Sequence, residues 1–348
     1  MLNPSYGLSL RSCTVASYRS LLSGRRADRY CHGQALVVVD EVHRNYSKRS
    51  LEMLGQLVQG GAKLLGLTAS PDRMTGDPLT KFYGPAVLYY GISLATQHGW
   101  LVPGRCYLTL IESLDLSKAK ATRFSDFEVE VIDRAMRQER VCHEIAQMVL
   151  EYWEGQPSVV FCHSIRQAEM LRDVLARHGV DPAIVHSDMD REERRMHLTE
   201  FEEGRVNIIL NVSCLTLGWD CPRITKLFIA RPTASKSNYI QMWGRGTRPL
   251  TGTLDNAIGA SGRRAAIAAS GKPHFEVFDI TDSSRHNDLL CGLDMLAPEE
   301  NPDLMRRAKK RAEGSAVDAT KLDELLKAER AEMAREREAL DSLYPELR

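Results

Sequence analysis

The sequence predicts an α/β fold with parallel sheets, arranged as two lobes. Three observations lead there. Between residues 131 and 250, short apolar runs alternate with segments of helical period, the pattern of strands joined by crossover helices. Earlier, two further apolar runs stop abruptly at acidic or hydroxyl residues, as strands do at the ligand-binding edge of an open sheet. The length, 348 residues with 43% hydrophobic composition, is enough for two cores.

Taken in order, Ser12 to Ser17 reads as a strand end leading into a helix at Tyr18–Leu22, with Thr14 and Ser17 as N-cap candidates. Ala35 to Val39 is an apolar strand that ends in Asp40-Glu41-Val42-His43. A short helix follows over 50–58, with Leu51, Leu54 and Val58 on one side. Leu64 to Leu67 is the next strand, running into Thr68-Ala69-Ser70. Residues 96–130, punctuated by Pro103-Gly104, read as a connector. Val141, Ile145, Met148, Val149 and Tyr152 then recur at helical spacing. Ser158 to Cys162 is a strand, and Ala168, Leu171, Val174 and Leu175 mark a helix that Gly179 ends. Ala183 to Val185 is a short strand, and Asp190 with Glu193 predicts a capping box for a helix ending at Gly204. Strands follow at Val206–Leu210 and Lys226–Ala230, with a further one at Phe275–Ile280. Thr251 to Lys272 reads as a loop or a loosely held helix. Beyond residue 301 the thin stripe Leu322, Leu326, Met333, Leu340, with Glu329 and Glu336 breaking the companion row, predicts a solvated helix or frayed tail.

The chemistry concentrates at strand ends. Asp40 is placed to hold a magnesium ion, and Glu41 to orient or deprotonate a water. Arg245 and Arg248, three apart, share one face of a helical turn, where guanidinium forks suit phosphate oxygens. Gly244 beside them leaves room for close approach. Between the strands at 206–210 and 226–230, Thr216, Gly218 and Asp220 stand at short intervals in a turn.

The order Asp-Glu-Val-His, Thr-Ala-Ser, then Gln241-x-x-Gly-Arg-x-x-Arg248 resembles superfamily 2 helicases of the DEAD/DEAH kind, nearest to bacterial and phage proteins of the restriction-subunit group. The likeness runs from about Ser9 to about Leu296. It implies two RecA-like P-loop NTPase lobes: a partial first lobe at 1–95, a connector at 96–130, a second lobe at 131–296, and a charged helical tail at 297–348. It implies ATP and Mg2+ as cofactors, with Asp40 holding the metal, Glu41 activating water and His43 linking nucleotide and nucleic-acid sites. Thr68 and Ser70 would couple the lobes. Gly218 and Asp220 would lie near the nucleotide, and Gln241, Arg245 and Arg248 would complete the site across a cleft. Thr14, Ser17, Ser164, Arg166 and Thr216 would touch a nucleic-acid backbone, DNA being favoured over RNA. Val42, where the family usually has a smaller residue, is a mild departure.

One expected part is not found. Such motors hold phosphates with G-x-x-x-x-G-K followed by Ser or Thr. The one Gly-Lys pair, Gly271-Lys272, precedes Pro273, has Ala266 in place of the first glycine, and follows the arginine motif. The expectation is a first lobe that begins after its phosphate loop. The chain is then either a fragment, completed by a separate N-terminal segment that carries the loop, or a degenerate relative that binds without hydrolysing.

Composition excludes little else. Lys+Arg and Asp+Glu are both 46, which argues against a tail-driven nucleic-acid binder but not against a local basic groove. Eight cysteines without a C-x-x-C pair argue for reduced thiols rather than zinc. His163, His178, His186 and His197 read as ordinary surface or core histidines. The first residues have no signal core and no apolar run reaches spanning length, so a soluble cytoplasmic protein without a membrane partner is expected.

Overall fold

The structure, a computed structural model, describes residues 15–17, 21, 36–42, 48–68, 83–84, 88, 90–119, 127–214, 219–282, 289–297 and 300–343. The chain divides into two compact units, 1–89 and 90–348.

In the first unit, β1 (Leu36–Val39) and β2 (Lys63–Gly66) pair in parallel, with Val38 opposite Leu65. The helix between them, α1 (Lys48–Gln59), covers one face. Its buried side is Ser50, Met53, Leu54 and Leu57, one residue round from the expected stripe, and Val58 faces solvent. The reason is the sheet. Val37, Val39 and Leu64 gather under Met53, Leu54 and Leu57, and that contact decides the rotation of the helix.

The second unit holds a seven-stranded sheet in the order β5-β6-β4-β7-β8-β3-β9. Its members are β3 (Gly104–Ile111), β4 (Ser158–Cys162), β5 (Ala183–His186), β6 (Ile208–Val212), β7 (Lys226–Ala230), β8 (Phe275–Asp282) and β9 (Ala316–Val317). All pairings are parallel except β3 with β9. β4, β6 and β7 are buried at every residue, which is why they read as unbroken apolar runs. Alternate residues feed two cores. Val159, Phe161, Leu227 and Ile229 face one, with Tyr239, Met242 and Trp243 of α7 (Lys236–Trp243). Val160, Cys162, Phe228 and Ala230 face the other, with α4 (Glu139–Trp153) and α5 (Ile165–Arg177). The short α2 (Ile92–Gln97) precedes β3, α3 (Val129–Met136) leads into α4, and α6 (Arg191–Glu202) joins β5 to β6.

Two segments do more than their composition indicated. The stretch expected as a connector contributes β3, which pairs with β8 over eight residues, from Gly104 with Phe275 to Ile111 with Asp282. The charged C-terminal segment folds back as α9 (Gly292–Leu296), α10 (Pro302–Ala312) and α11 (Ala319–Leu343). Leu304, Met305, Ala308, Leu322 and Leu326 enter the first core. Glu329, which breaks the apolar row in sequence, is buried and paired with Arg311, while Arg307 meets Glu336 and Arg330 meets Glu300. Charges that read as a solvated face are the seam between α10 and α11. The segment between the arginine turn that follows α7 and β8 also holds a helix, α8 (Gly259–Ala268). Arg263 and Arg264 on it donate to the carbonyls of His98 and Gln97, at the end of α2.

A buried polar link ties α7 to this core. The Tyr239 hydroxyl donates to Asp279 Oδ1 at 2.6 Å, and the Gly292 amide donates to Oδ2 at 2.8 Å. Burial pushes the Asp279 carboxyl up to about 7 despite those two donors. A folded-state value above the unfolded one contributes stability below the unfolded value, near pH 4, that is lost as pH rises through 7. Tyr239→Phe is therefore expected to cost about 2 kcal/mol at pH 8, where the carboxylate is charged, and about 1 kcal/mol at pH 5. Urea unfolding followed by tryptophan fluorescence reads this unit alone, since Trp100, Trp153, Trp219 and Trp243 all lie in it. Equal losses at the two pH values would contradict the assignment.

Candidate functional site

In the first unit Asp40 and Glu41 follow β1 directly. The ladder continues past the strand ends, from Leu67 N to Val39 O at 2.8 Å and from Val42 N to Leu67 O at 3.1 Å. Between those bonds Glu41 takes a left-handed backbone, φ 49°, and donates its amide to Asp40 Oδ1 at 2.9 Å. A non-glycine residue held there is mildly strained, and such strain gathers at functional positions. Asp40 is exposed, Glu41 is partly buried, and Thr68 stands just past the end of the neighbouring strand. Among the described residues no cluster of His, Cys, Asp and Glu forms a complete metal cage. A lone exposed Asp40 fits a magnesium ion held largely by phosphates and water, the usual mode for that ion. His43, Ser70 and Thr14 lie outside the described residues. Ser17 is exposed, and its carbonyl accepts from Leu21 N at 3.0 Å, as an N-cap carbonyl does.

In the second unit the predicted site residues fall at opposite edges of the sheet. Ser164 and Arg166 follow β4 at the C-terminal edge. Asp220, Arg245 and Arg248 lie by the amino ends of β3 and β8, where Thr247 O accepts from Val102 N and Gly246 packs on Phe275. β4 sends its crossover helix, α5, to one face, and neighbouring β7 sends α7 to the other. Strands whose connections diverge leave a crevice at their carboxyl ends, where open α/β sheets bind ligands. Gln167, fully buried, stitches that crevice: His163 N donates to its Oε1 at 2.7 Å, and its Nε2 donates to Ala230 O at 3.1 Å. Arg231, just past β7, reaches over the end of β4 to Ser213 Oγ, just past β6, at 2.9 Å. Neither Gln167 nor Arg231 stood out in the sequence. Gln167 reads there as one polar residue on a helix, although a left-handed residue such as Ser213, φ 58°, marks a strand end that turns sharply. Ser164 caps α5, its Oγ accepting from Gln167 N at 3.3 Å. Arg166, one turn in, is two-thirds exposed and paired only loosely with Glu169, at 3.6 Å.

The arginine motif follows α7, which Ser235 starts by accepting from Asn238 N. Met242 and Trp243 are buried and orient the helix, with Gln241 on its less buried side. Arg245 is nearly buried and donates to the Trp219 carbonyl. Arg248 pairs with the Asp220 carboxylate and donates to Gly244 O at 2.8 Å. Asp220 thus joins Arg245 and Arg248, which lie 25 or more residues further along the chain, in one cluster. Thr216 and Gly218 lie outside the described residues. The segment is held from behind as well, by the Trp219 indole donating to Glu202 at 2.7 Å. The glycine that close packing demands is not the expected one. A Cβ on Gly244 would meet its nearest atom at 3.1 Å, whereas one on Gly246 would lie 2.2 Å from the Phe275 ring. Two guanidinium groups at the end of a helix, one paired with an exposed carboxylate, are suited to trade that partner for phosphate oxygens.

The chain is similar to known proteins in sequence and in fold. Residues 136–249 match the family described as the helicase conserved C-terminal domain. The chain is 26% identical over 242 residues to Saccharomyces cerevisiae IRC3, named for a proposed ATP-dependent helicase activity, covering 67% of this chain and 34% of that protein. It is 26% identical over 293 residues to UvrABC system protein B of Pseudomonas fluorescens, covering 74% of this chain and 41% of that protein. Among solved structures, a fragment assigned as an HsdR subunit of a type I restriction enzyme from Vibrio vulnificus superposes with a TM-score of 0.55 at 19% identity, over 78% of this chain and 52% of that one. That last likeness is one of fold. The chain spans less than half the length of these two curated relatives. Residues 136–249 thus match the helicase conserved C-terminal domain, and the chain, with its α/β, RecA-like fold, is similar to superfamily 2 helicases.

Proposed function

We propose that the chain is an ATP-dependent DNA helicase or translocase, or a part of one, that couples hydrolysis to movement on nucleic acid. The observation that carries this reading is the cluster of Asp220, Arg245 and Arg248, two guanidinium groups gathered beside one exposed carboxylate. In this reading Arg245 and Arg248 approach the triphosphate and Gln241 stands with them. From the first unit Asp40 holds Mg2+, Glu41 activates water, His43 relays between sites, and Thr68 and Ser70 couple the units. When bound, the metal would neutralise charge on the transferring phosphoryl group. Ser164, Arg166 and Thr216, with Thr14 and Ser17, contact the strand backbone. Contacts to backbone make sequence preference weak. DNA is proposed over RNA on the restriction-subunit resemblance. A separate segment that carries a phosphate loop is the proposed partner.

A second reading is a nucleic-acid-binding module without catalysis. One observation favours it, that the 348 residues contain no G-x-x-x-x-G-K followed by Ser or Thr. Both readings require backbone binding. Fluorescence anisotropy with labelled single-stranded DNA is expected to show affinity that falls steeply with salt. Arg166→Ala should weaken binding on all sequences alike and reduce the log–log salt slope by about 0.7. Affinity indifferent to salt would contradict a backbone-tracking surface, and tighter binding to RNA of the same sequence would contradict the choice of DNA.

A further inference from the structure

Lys272 is the one lysine that follows a glycine in this chain, and it serves no phosphate loop. Its side chain is almost wholly buried, at 1% exposure. The ammonium donates to two main-chain carbonyls, Pro222 O at 2.8 Å and Arg248 O at 2.9 Å. Pro222 stands two residues beyond Asp220, and Asp220 takes the side chain of that same Arg248. A closed ring results, in which Asp220 grips Arg248 by its guanidinium and Lys272 grips it by its carbonyl while also holding the segment that carries Asp220. Lys272 is itself anchored from α8: its amide donates to Ser270 Oγ at 3.1 Å, and that hydroxyl donates to Ile267 O at 2.7 Å.

The geometry points to Lys272 as a positioning residue that clasps the Asp220 turn to the arginine turn and so sets Arg248 toward phosphate. The direction of service rests on the proposed nucleotide role of Arg248; the clasp itself does not. Lysine suits the task because one ammonium carries several donors and can serve two carbonyls from different segments. An apolar side chain there would leave both carbonyls buried without this donor, an expensive arrangement. Burial is also the main influence on the amine, lowering it to about 7, with nearby Arg248 in the same sense and Cys221 and Asp220 opposing. A lysine recruited only for its charge would not be placed where its charge is disfavoured.

The test reads the Arg248 Nε–H signal by proton–nitrogen NMR of the full chain, assigned by its disappearance in Arg248→Lys. The wild-type signal is expected to be sharp and slowly exchanging. Lys272→Met should lose it through exchange with water, whereas Val277→Ala, a core truncation of ordinary destabilising kind, should keep it. If Lys272→Met does not fold, Lys272→Gln is read in the same way, because its shorter amide cannot span both carbonyls. A persistent signal in whichever lysine variant folds, its loss in Val277→Ala as well, or no slowly exchanging signal in the wild type would each overturn the clasp. Mg-ATP added to the wild type tests the other reading separately. An unmoved Arg248 signal there, with loss in Lys272→Met, overturns the nucleotide role and leaves the clasp standing.

Discussion

Gly246→Ala is expected to destabilise the second unit by about 3 kcal/mol, the upper end of what overpacking a core usually costs. The added methyl would sit 2.2 Å from Phe275 Cδ2, 2.6 Å from Cε2 and 2.7 Å from Cγ. These are ring atoms of a fully buried side chain, so the flexible end of a chain cannot simply swing away. The ring has nowhere to go. It packs edge-on against Trp243, with centroids 5.1 Å apart at 77°, and it already limits Gly104, where a Cβ would meet Phe275 Cζ at 3.0 Å and Trp243 Cζ2 at 2.6 Å. Relief must come from the backbone between Arg245 and Arg248. The loss of stability should therefore be accompanied by loss of the Arg248–Asp220 pair. Urea unfolding by tryptophan fluorescence measures the first effect. A cost below about 1 kcal/mol would show that the turn shifts freely. Gly246→Ala combined with Phe275→Leu should recover part of the stability, because the two changes share one contact and are not additive.

Much of the second unit was legible because its central strands are buried on both faces. Ser158–Cys162 and Lys226–Ala230 are bounded in the structure as the apolar runs predict. The helix from Asp190 was legible through its cap, whose carboxylate accepts from the amides of Glu192 and Glu193. β3 was not legible. Its residues alternate between buried and more exposed positions, Pro103-Gly104 reads as punctuation, and its partner lies far downstream at β8. No local signal carries a pairing of that span. The C-terminal helices were misread for a different reason. Composition shows the charges of Arg307, Arg311, Glu329 and Glu336 but not that they face one another.

At the site, the motif spacing made Asp40, Glu41, Asp220, Arg245 and Arg248 visible. What braces the second unit around its site residues was not visible. Gln167, Arg231, Lys272 and the Tyr239–Asp279 link all act through carbonyls, or through partners brought close only by the sheet. The need for glycine at 246 rather than 244 depends on Phe275, from the next strand, and the motif itself cannot reveal it.

In the proposed function, Arg245 and Arg248 serve a hydrolysis site which these 348 residues do not complete. Steady-state ATP hydrolysis by the full chain, with and without single-stranded DNA, tests it most directly. In that reading the two arginines, and Asp40 through a magnesium ion, would supply charge to the triphosphate, but in-line attack would also need its β- and γ-phosphates anchored. The sequence offers no amide cradle with a lysine for that anchor, and its one Gly-Lys pair gives its lysine to Pro222 and Arg248. The predicted result is turnover at background, unchanged by DNA and no different in Glu41→Gln. DNA-stimulated hydrolysis at rates of about 1 per second or more, abolished by Glu41→Gln, would contradict the claim and require another segment of this chain to cradle the nucleotide.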